Sequence, residues 1–359
     1  MVTMLDCIKR TPGIIEGITA GCKERAAQLL NYLGGERDSI DEIIFVGSGT
    51  SNTSALTSRS FIEKYAGIRA SVYVPNDFCH SAACLNPHAL YVFTSQTGTS
   101  IETRNAAKIV RDLGYHFVSI TESADTPLAK ESPCHWDMGC GYEEYPMRTI
   151  GYSSSVMSQM LLGLELGLAK GIVNSEDYDA LIKLAGQLPK SIDDIIDKTL
   201  EWTGQNKWQM LRSECLIFAG ADSLYGVAAE AALKGWEILQ KPSMGYELEE
   251  SLHGPNYGYN ASHCVIVLND GGRENDKALA LGRYMEEVMG NGFVIGSRTA
   301  HEHDLALELA GGCFSALELI SSVQALIYRL TVDCGRDLMA PQHHELMERY
   351  FVTHGEDNN

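Results

Sequence analysis

Three stretches of this sequence run from an apolar strand through a short turn directly into a helix. The strands lie at residues 42–46, 90–94 and 215–219, and further strand and helix patterns follow them. Alternating strands and helices predict parallel sheets with helices on both faces and ligands at the carboxyl ends of the strands. Because the pattern occurs before and after a long helical stretch, we predict an α/β fold with two subdomains.

The length of the chain agrees with this division. Its 359 residues suit two domains of roughly 150 residues each. With 45% hydrophobic and 21% charged residues, the chain can bury apolar cores. We predict a helical lead-in, a first subdomain, a helical connector, a second subdomain and a C-terminal tail, at residues 1–40, 41–172, 173–205, 206–340 and 341–359.

The net charge excludes two classes of partner. The sequence holds 47 Asp and Glu against 28 Lys and Arg, a formal net charge of -19. Such a chain repels nucleic acid and anionic membranes at long range, so we expect neither as a partner. An anionic ligand would have to be held locally, by backbone amides and hydroxyl groups.

The cysteines indicate a reducing compartment. All ten are scattered, no CxxC pair occurs, and no secretory signal precedes them. We expect reduced thiols in a cytoplasmic protein, many of them buried. No apolar stretch reaches the roughly 18 residues that would suggest a membrane span.

Two turns of the first half are rich in hydroxyl groups. The candidate binding residues are Ser48, Gly49, Thr50 and Ser51 in the first turn and Ser95, Gln96, Thr97 and Ser100 in the second. Neither turn is a GxGxxG motif and no P-loop lysine follows, which disfavours nucleotides. Hydroxyls and backbone amides at a helix N-terminus favour a phosphate ester. Ser100 alone could instead be an ordinary helix cap.

The second half has no such hydroxyl loop but carries a set of ionisable groups. If residues 223–240 are helical, Glu230, Lys234 and Glu237 share one face, and His253 follows in a His-Gly-Pro turn. One face can therefore present a base together with the charges that tune it. Burial would raise the pKa of Glu237 and Lys234 would lower it. The alternative is a solvated Glu230–Lys234 pair.

The motifs GSGTS, SQTGTS, AAEAALKGWE and HGP, in this order over roughly residues 40–340, resemble those of the sugar isomerase (SIS) domain family. They are similar to the isomerase half of glucosamine-6-phosphate synthase and to stand-alone deglycases that split phosphorylated Amadori-type compounds. The resemblance implies two SIS subdomains, each a flavodoxin-like parallel sheet, that act on a small sugar phosphate. It implies no cofactor and no metal.

The resemblance also implies roles for particular residues. Glu237 matches the carboxylate that moves a proton at C1 and C2, and His253 matches a histidine that assists ring opening or acts as an acid. That histidine commonly comes from the neighbouring subunit, so a homodimer with shared active sites is implied. The matches to residues that hold the sugar phosphate are Thr50, Ser51, Ser95, Gln96, Thr97 and Ser100.

Two departures from the synthase bear on function. The synthase carries an N-terminal glutamine-hydrolysing domain and a C-terminal lysine that forms a Schiff base with the open sugar. We expect neither here, because residues 1–40 leave no room for the domain and Lys277 is the last lysine of the sequence. Glutamine-dependent synthesis is therefore disfavoured, and a stand-alone deglycase or isomerase is favoured.

Other residues have bland alternatives. His301 and His303, and the pair His343 and His344, lack the spacing of known zinc sites, and we expect solvated loop histidines. His343 or His344 could instead close the active site from the tail. We expect Trp236, beside Glu237, to pack in the core.

Three functions remain open. The first is cleavage of a 6-phosphorylated sugar–amine adduct, such as fructoselysine or glucoselysine 6-phosphate, to a hexose phosphate and an amine. The second is isomerisation of an aldose–ketose or amino-sugar phosphate. The third is a non-catalytic sugar-phosphate sensor, which would need only the hydroxyl loops, so Glu230, Lys234, Glu237 and His253 together argue against it.

Overall fold

The computed structural model of the chain describes residues 2–338, 344–347 and 349–355. The chain forms two compact units, each assembled from separate stretches of the sequence. The first unit comprises Gly17–Glu143, Ser154–Ile182 and the described residues 344–347 and 349–355. The second unit comprises residues 2–16, Glu144–Ser153 and Lys183–Leu338.

The first unit is built on a parallel five-stranded sheet in the order β2-β1-β3-β4-β5. Its strands are β1 (Glu42–Val46), β2 (Arg69–Tyr73), β3 (Ala89–Thr94), β4 (Phe117–Thr121) and β5 (His135–Asp137). This is the flavodoxin-like order, in which ligands bind where the strand order reverses, here between β1 and β3. Every residue of the central strand β3 is buried, as expected for a sheet covered on both faces.

Residues 2–185, all of which the structure describes, contain eight α-helices. They are α1 (Met4–Ala20), α2 (Cys22–Leu33), α3 (Thr50–Phe61), α4 (Pro75–His80), α5 (Ile101–Asp112), α6 (Pro127–Glu131), α7 (Ile150–Ala169) and α8 (Ser175–Ala185). The apolar face of α5 packs Ala106, Ala107 and Val110 into a core shared with Tyr91 and Phe93 of β3.

The second unit has the same topology. Its parallel sheet has the order β10-β9-β8-β6-β7, so its strand order also reverses between the first and third strands in sequence. The strands are β6 (Cys215–Gly220), β7 (Ser243–Glu247), β8 (His263–Asn269), β9 (Gly292–Gly296) and β10 (Leu305–Ala306). The predicted α/β fold with two parallel sheets is confirmed.

The remaining helices are α9 (Leu188–Arg212), α10 (Ser223–Lys234), α11 (Asn275–Tyr284), α12 (Ser315–Asp333) and α13 (His344–Met347). Two of them, α10 and α11, continue into single π-helical turns at Gly235–Leu239 and Met285–Met289. The segment Gly312–Asp333 is long and apolar enough to cross a membrane, which the sequence analysis did not anticipate. Because 83% of its most apolar window is buried, we interpret it as a core helix.

The structure differs from the sequence-based prediction mainly at sheet edges. Strands β2, β7 and β10 were not predicted, and all three are edge strands. Edge strands are only half covered, so β2 and β7 lack a continuous apolar run. The helix predicted over residues 175–205 is two helices, α8 and α9, and Pro189 stands in the first turn of the second one.

Candidate functional site

Both hydroxyl-rich turns lie at the switch point of the first unit. The turn after β1 leads into α3, and the turn after β3 leads into α5. Because β1 and β3 are neighbouring parallel strands, their carboxyl ends and both turns share one edge of the sheet. The predicted binding residues of these two turns are therefore placed side by side by the topology.

Glycines shape the first turn. A Cβ atom on Gly47 would lie 2.7 Å from Cβ of Ser51 and 3.1 Å from the Thr94 carbonyl oxygen, so only glycine fits there. Gly49 precedes the helix with φ +54 and ψ -125, a conformation that side chains disfavour. The N–H groups of Ser51 and Asn52 donate to the carbonyls of Ser48 and Gly49, at 3.1 and 2.9 Å. The turn is tight, and its hydroxyl groups lie at the first turn of α3.

The second turn contains an amide side chain without partners. Both the nitrogen and the oxygen of the Gln96 side-chain amide are shielded from solvent, and neither has a hydrogen-bond partner among the described residues. Around it, Gly98 N–H donates to the Ser95 carbonyl at 3.0 Å, and the Thr97 and Thr99 hydroxyls bond each other at 2.8 Å. A shielded amide that lacks partners costs free energy, and a bound ligand could satisfy it.

Ser100 does not act as the simple cap that the sequence left open. It occupies the N-cap position of α5, but its side chain makes no capping bond to the backbone. Its hydroxyl instead accepts a hydrogen bond from the Thr103 hydroxyl, at 3.0 Å.

The C-terminal segment reaches this turn, which the sequence analysis missed. Ile101 N–H donates to the Thr353 carbonyl at 3.1 Å, and Gly355 N–H donates to the Thr99 carbonyl at 3.0 Å. His354 forms an isolated antiparallel bridge with Ser100. The predicted tail residue His343 lies outside the described residues, and His344 begins helix α13. The tail therefore meets the hydroxyl loop through residues 353–355.

The ionisable face of the second unit is buried, not solvated. The side chains of Glu230 and Lys234 are 0% and 1% exposed, and Lys234 Nζ lies 3.2 Å from Glu230 Oε1. The same Nζ lies 2.6 Å from Oε2 of Glu237, whose side chain is 35% exposed. The alternative of an ordinary surface pair is therefore wrong. One buried ammonium group joins a buried carboxylate to an accessible one.

The electrostatics of this triad are coupled. Burial by itself disfavours the charge of Lys234, but the carboxylates of Glu230 and Glu237 outweigh burial, so the pKa of Lys234 lies above its usual range. Lys234 therefore stays an ammonium ion at neutral pH. Glu237 lies in the π-helical turn and not in a regular α-helix, a position often associated with functional sites.

His253 lies apart from this triad. Its ring is 67% exposed, and its described side-chain partner is Glu249, with Nε2 2.8 Å from Oε1. No hydrogen bond or ion pair between His253 and Glu237 occurs in the described structure. Tyr257, on the same loop, is 92% exposed. Within one chain, Glu237 and His253 are not assembled into a pair.

Other expectations need correction. Trp236 is more than half exposed and donates through Nε1 to the Ser243 carbonyl, so its prediction as a core residue is wrong. His301 and His303 lie in a loop and are partly exposed, but their rings stack at 5.5 Å and their Nε2 atoms are shielded from solvent. Among the described residues, no three His, Cys, Asp or Glu side chains could hold a metal ion together.

A separate cavity of about 650 Å³ lies in the second unit, between α9 and residues 307–310. None of the predicted site residues lines it.

The ten cysteines are all free thiols, and six of them are buried, as the sequence predicted.

Comparison with known proteins supports the family resemblance. Residues 39–165 match the family described as the SIS domain. Over 316 residues the chain is 28% identical to a glutamine–fructose-6-phosphate aminotransferase (isomerizing) of Xylella fastidiosa strain Temecula1, covering 85% of this chain and 51% of that protein. The chain thus spans about half the length of the curated relatives it matches.

Solved structures agree on the fold. A candidate phosphosugar isomerase from Clostridium difficile 630 has a TM-score of 0.87 at 24% identity, covering 99% of this chain and 100% of that one. A candidate sugar-binding protein from Salmonella typhimurium LT2 has a TM-score of 0.75 at 26% identity, covering 89% and 97%.

Proposed function

We propose that this chain, which carries a SIS domain at residues 39–165, is an enzyme that acts on a sugar phosphate. More specifically, we propose a deglycase that cleaves a 6-phosphorylated sugar–amine adduct of the fructoselysine or glucoselysine type to a hexose phosphate and a free amine. Glu237 is the base, and Lys234 and Glu230 hold it. The hydroxyl turns bind the phosphate.

The observation that carries this proposal is the position of Glu237. Its carboxylate is held at 2.6 Å by a buried ammonium group, while about a third of the side chain stays accessible. A base that is fixed in place but open to a ligand suits proton transfer at carbon. A buried ion pair is costly to retain for stability alone, which supports a functional reason for Glu230 and Lys234.

The proposed reaction balances as a proton shift followed by hydrolysis. In an open-chain ketoamine phosphate, Glu237 removes a proton from C1 and the carbonyl oxygen at C2 is protonated. Return of that proton from Glu237 to C2 moves the double bond to C1 and the amine nitrogen, which keeps its N–H as an iminium ion. Water then adds at C1 and gives up one proton to the group that protonated the oxygen, and the amine leaves, giving an aldose phosphate. His253 is the group that we propose to donate and accept the proton at oxygen.

The hydroxyl turns suit the phosphate end of such a substrate. The negative net charge of the chain makes long-range attraction of an anion unfavourable. Local donors therefore have to hold it: the hydroxyls of Ser48, Thr50, Ser51, Ser95, Thr97 and Ser100, the amide of Gln96, and backbone N–H groups such as that of Gly49. The unpartnered Gln96 amide supports this assignment.

The relatives support a hexose 6-phosphate and chemistry at a carbon–nitrogen bond. The curated relatives are named as aminotransferases of fructose 6-phosphate, and the same names include an isomerising step. A deglycase uses both elements in the direction that releases an amine. The word isomerizing in those names also favours the second candidate, a sugar-phosphate isomerase that uses the same Glu237 without cleavage.

A coupled assay separates the candidates. The full chain would be offered glycated amino acid 6-phosphates, and also simple hexose and hexosamine 6-phosphates, while hexose phosphate and free amine are measured. Amine release that is lost in Glu237→Gln but kept in Glu201→Gln, an exposed carboxylate of α9, would support the deglycase. Interconversion of simple sugar phosphates without amine release would replace it with the isomerase, and binding without turnover would leave a sensor.

We also propose that the enzyme is a homodimer in which His253 completes the partner's site. The motivation is that His253 is exposed and apart from Glu237, and that apolar Trp236, Met244 and Tyr257 are exposed nearby in the sequence. A large exposed apolar surface suits a protein interface. Mixing Glu237→Gln with His253→Asn would then create intact sites and restore about a quarter of wild-type activity. No recovery in a verified mixed dimer would contradict sharing.

A further inference from the structure

We propose that Glu249 is a positioning residue for His253: it fixes the orientation of the imidazole ring and the nitrogen that faces the substrate, and Lys277 and Glu274 hold Glu249 in place. The inference rests on the proposed role of His253 in proton transfer. It adds residues that neither the motifs nor the relatives assign.

Local backbone structure presents the pair. His253 follows the short 3-10 turn Glu250–Leu252, and its N–H donates to the Glu250 carbonyl at 3.1 Å. Glu249 and His253 flank this turn, which brings their side chains to the same side. His253 Nε2 lies 2.8 Å from Glu249 Oε1. The backbone N–H of Glu249 in turn donates to Oε2 of Glu247 at 2.7 Å. The position of the carboxylate is therefore constrained from its own main chain.

A second element fixes the far oxygen of Glu249. Lys277 of α11 contacts Oε2 of Glu249, and the same Nζ lies 2.9 Å from Oε2 of Glu274. Hydrogen bonds from Lys277 and then from His253 lower the pKa of Glu249, so it remains a carboxylate at neutral pH. The result is a chain of groups, His253–Glu249–Lys277–Glu274, that links the loop carrying His253 to α11.

The chemistry of the carboxylate determines the tautomer. An ionised carboxylate only accepts hydrogen bonds, so the ring nitrogen that faces it, Nε2, must carry the hydrogen. In the neutral ring the lone pair is then on Nδ1, which leaves Nδ1 as the nitrogen that exchanges a proton with substrate. This is the general logic of a histidine whose second nitrogen is held by an acid, as in the serine-protease triad. The other charged groups of residues 247–253 and 273–277 are Glu247, Glu250, Arg273 and Asp276.

Such a contact would matter little for stability. All of its members are partly exposed, and exposed ion pairs contribute little to stability because solvent screens them. An effect on turnover that exceeds the effect on folding would therefore identify a positioning role. A purely structural contact would change neither the tautomer of His253 nor kcat relative to KM.

The first readout is the tautomer of His253 in the resting enzyme. The full chain labelled with 15N-histidine would be measured by NMR, and the His253 signals among the 11 histidines assigned with His253→Asn. We expect the Nε2–H form in the wild type and a mixture of both tautomers in Glu249→Ala. An Nδ1–H form in the wild type, or no change in Glu249→Ala, would overturn the inference.

The second readout is the split between kcat and KM. Glu249→Ala should lower kcat roughly tenfold to a hundredfold, a part of what a positioned acid–base group supplies, with KM within about threefold. Glu249→Asp, which keeps a carboxylate, should recover part of the loss, and Lys277→Met should reduce kcat by a smaller factor. Glu250→Gln, an exposed neighbour without a described side-chain bond, is the control and should be unchanged.

These outcomes separate the inference from the proposed function. The NMR measurement needs no substrate, so a locked Nε2–H tautomer in a chain without turnover would support the positioning contact and sink the enzyme assignment. Loss of turnover in His253→Asn together with full turnover in Glu249→Ala would keep the enzyme assignment and remove the role of Glu249.

Discussion

The two units use one backbone for two purposes. The turn before α3 contains Gly49 at φ +54 and ψ -125, and the turn before α10 contains Asp222 at φ +55 and ψ -124. Both helices then end in a π-helical turn followed by a left-handed residue, Gly67 in one unit and Gln240 in the other. With a shift of 173 residues, from Gly49 to Asp222, the strand, turn, helix and π turn coincide.

The side chains on this common backbone differ in kind. Ser51 of the first unit corresponds to the buried Leu224 of the second unit, so the turn after β6 lacks this hydroxyl donor. In the turn after β3, the Gln96 amide has no hydrogen-bond partner among the described residues. Asn269, the last residue of β8, instead donates to the Arg298 carbonyl at 3.0 Å and accepts from Gly271 N–H at 3.0 Å. The first switch point has groups left for a ligand, and the second satisfies its own.

In the helices, the second unit carries the distinctive polar groups and the first unit does not. Glu230 and Lys234 of α10 correspond to Thr57 and Phe61 of α3, and all four are buried. Thr57 satisfies its hydroxyl with the Thr53 carbonyl at 3.1 Å, so the first unit needs no ion pair at this place. The same frame can therefore be stable without charge, which supports the proposal that the buried charges of the second unit serve chemistry.

The largest effect is expected when this charge pair is broken. Lys234→Met leaves Glu230 buried without a counter-charge and should lower the free energy of unfolding by about 3–5 kcal/mol. The double variant Glu230→Thr with Lys234→Phe copies the first unit and should recover much of that loss while activity stays absent. Urea unfolding would measure both, with the exposed Lys183→Met as control. Equal stability of Lys234→Met and wild type would contradict the comparison.

The pH dependence of stability tests the same charge. Because the pKa of folded Lys234 lies above its usual value of 10.5, its stabilising contribution is fully present below that value and is lost as pH rises through the folded pKa. The difference in unfolding free energy between wild type and Lys234→Met should therefore be constant near neutral pH and shrink in the alkaline range. A difference in unfolding free energy that grows as the pH becomes alkaline would contradict a raised pKa of Lys234.

The next effect concerns ligand binding at the first switch point. Ser51→Ala or Gln96→Ala should weaken sugar-phosphate binding by about 1.5–3 kcal/mol, the usual contribution of a hydrogen bond to a charged group. Ser223→Ala, at the start of α10 where the first unit has Thr50, should leave binding unchanged. Titration calorimetry with a hexose 6-phosphate would measure all three. Equal losses of binding in Ser51→Ala and Ser223→Ala would contradict the proposal that the phosphate binds at the first switch point.

The smallest effect concerns the shared turn itself. Asp222 adopts a backbone conformation that glycine prefers, at a cost on the order of 1–3 kcal/mol, so Asp222→Gly should stabilise the chain by about 1 kcal/mol. Gly49→Ala imposes the same strain on the first unit and should destabilise it by a similar amount. Thermal unfolding would compare the two. If Asp222→Gly destabilises instead, its side chain has a role that outweighs the strain.

Several features followed from the sequence directly. The apolar runs at β1, β3 and β6 predicted parallel strands, and the hydroxyl groups of the turns after β1 and β3 predicted a phosphate-binding role for these turns. Spacing also placed Glu230, Lys234 and Glu237 on one helix face. These predictions rely on local periodicity, which the sequence displays without knowledge of distant contacts.

Other features depended on contacts between distant residues. Edge strands such as β7 pair on one side only, so their sequence carries a weak signal. The pairing of Thr353–Gly355 with the hydroxyl turn joins residues about 250 positions apart in the sequence. The contact between Lys277 and Glu249 was also not predicted, because these two residues come from different elements that only the fold brings together.

The sequence by itself therefore determined the repeated strand–turn–helix unit, the hydroxyl groups of one turn and the ionisable groups of one helix. The tertiary structure decided which of these groups are buried and which remain accessible. Burial depends on what the rest of the chain packs against each element, and a local pattern does not contain that information. For this reason the same i, i+4 spacing that suits a surface ion pair became the buried Glu230–Lys234 pair that holds Glu237.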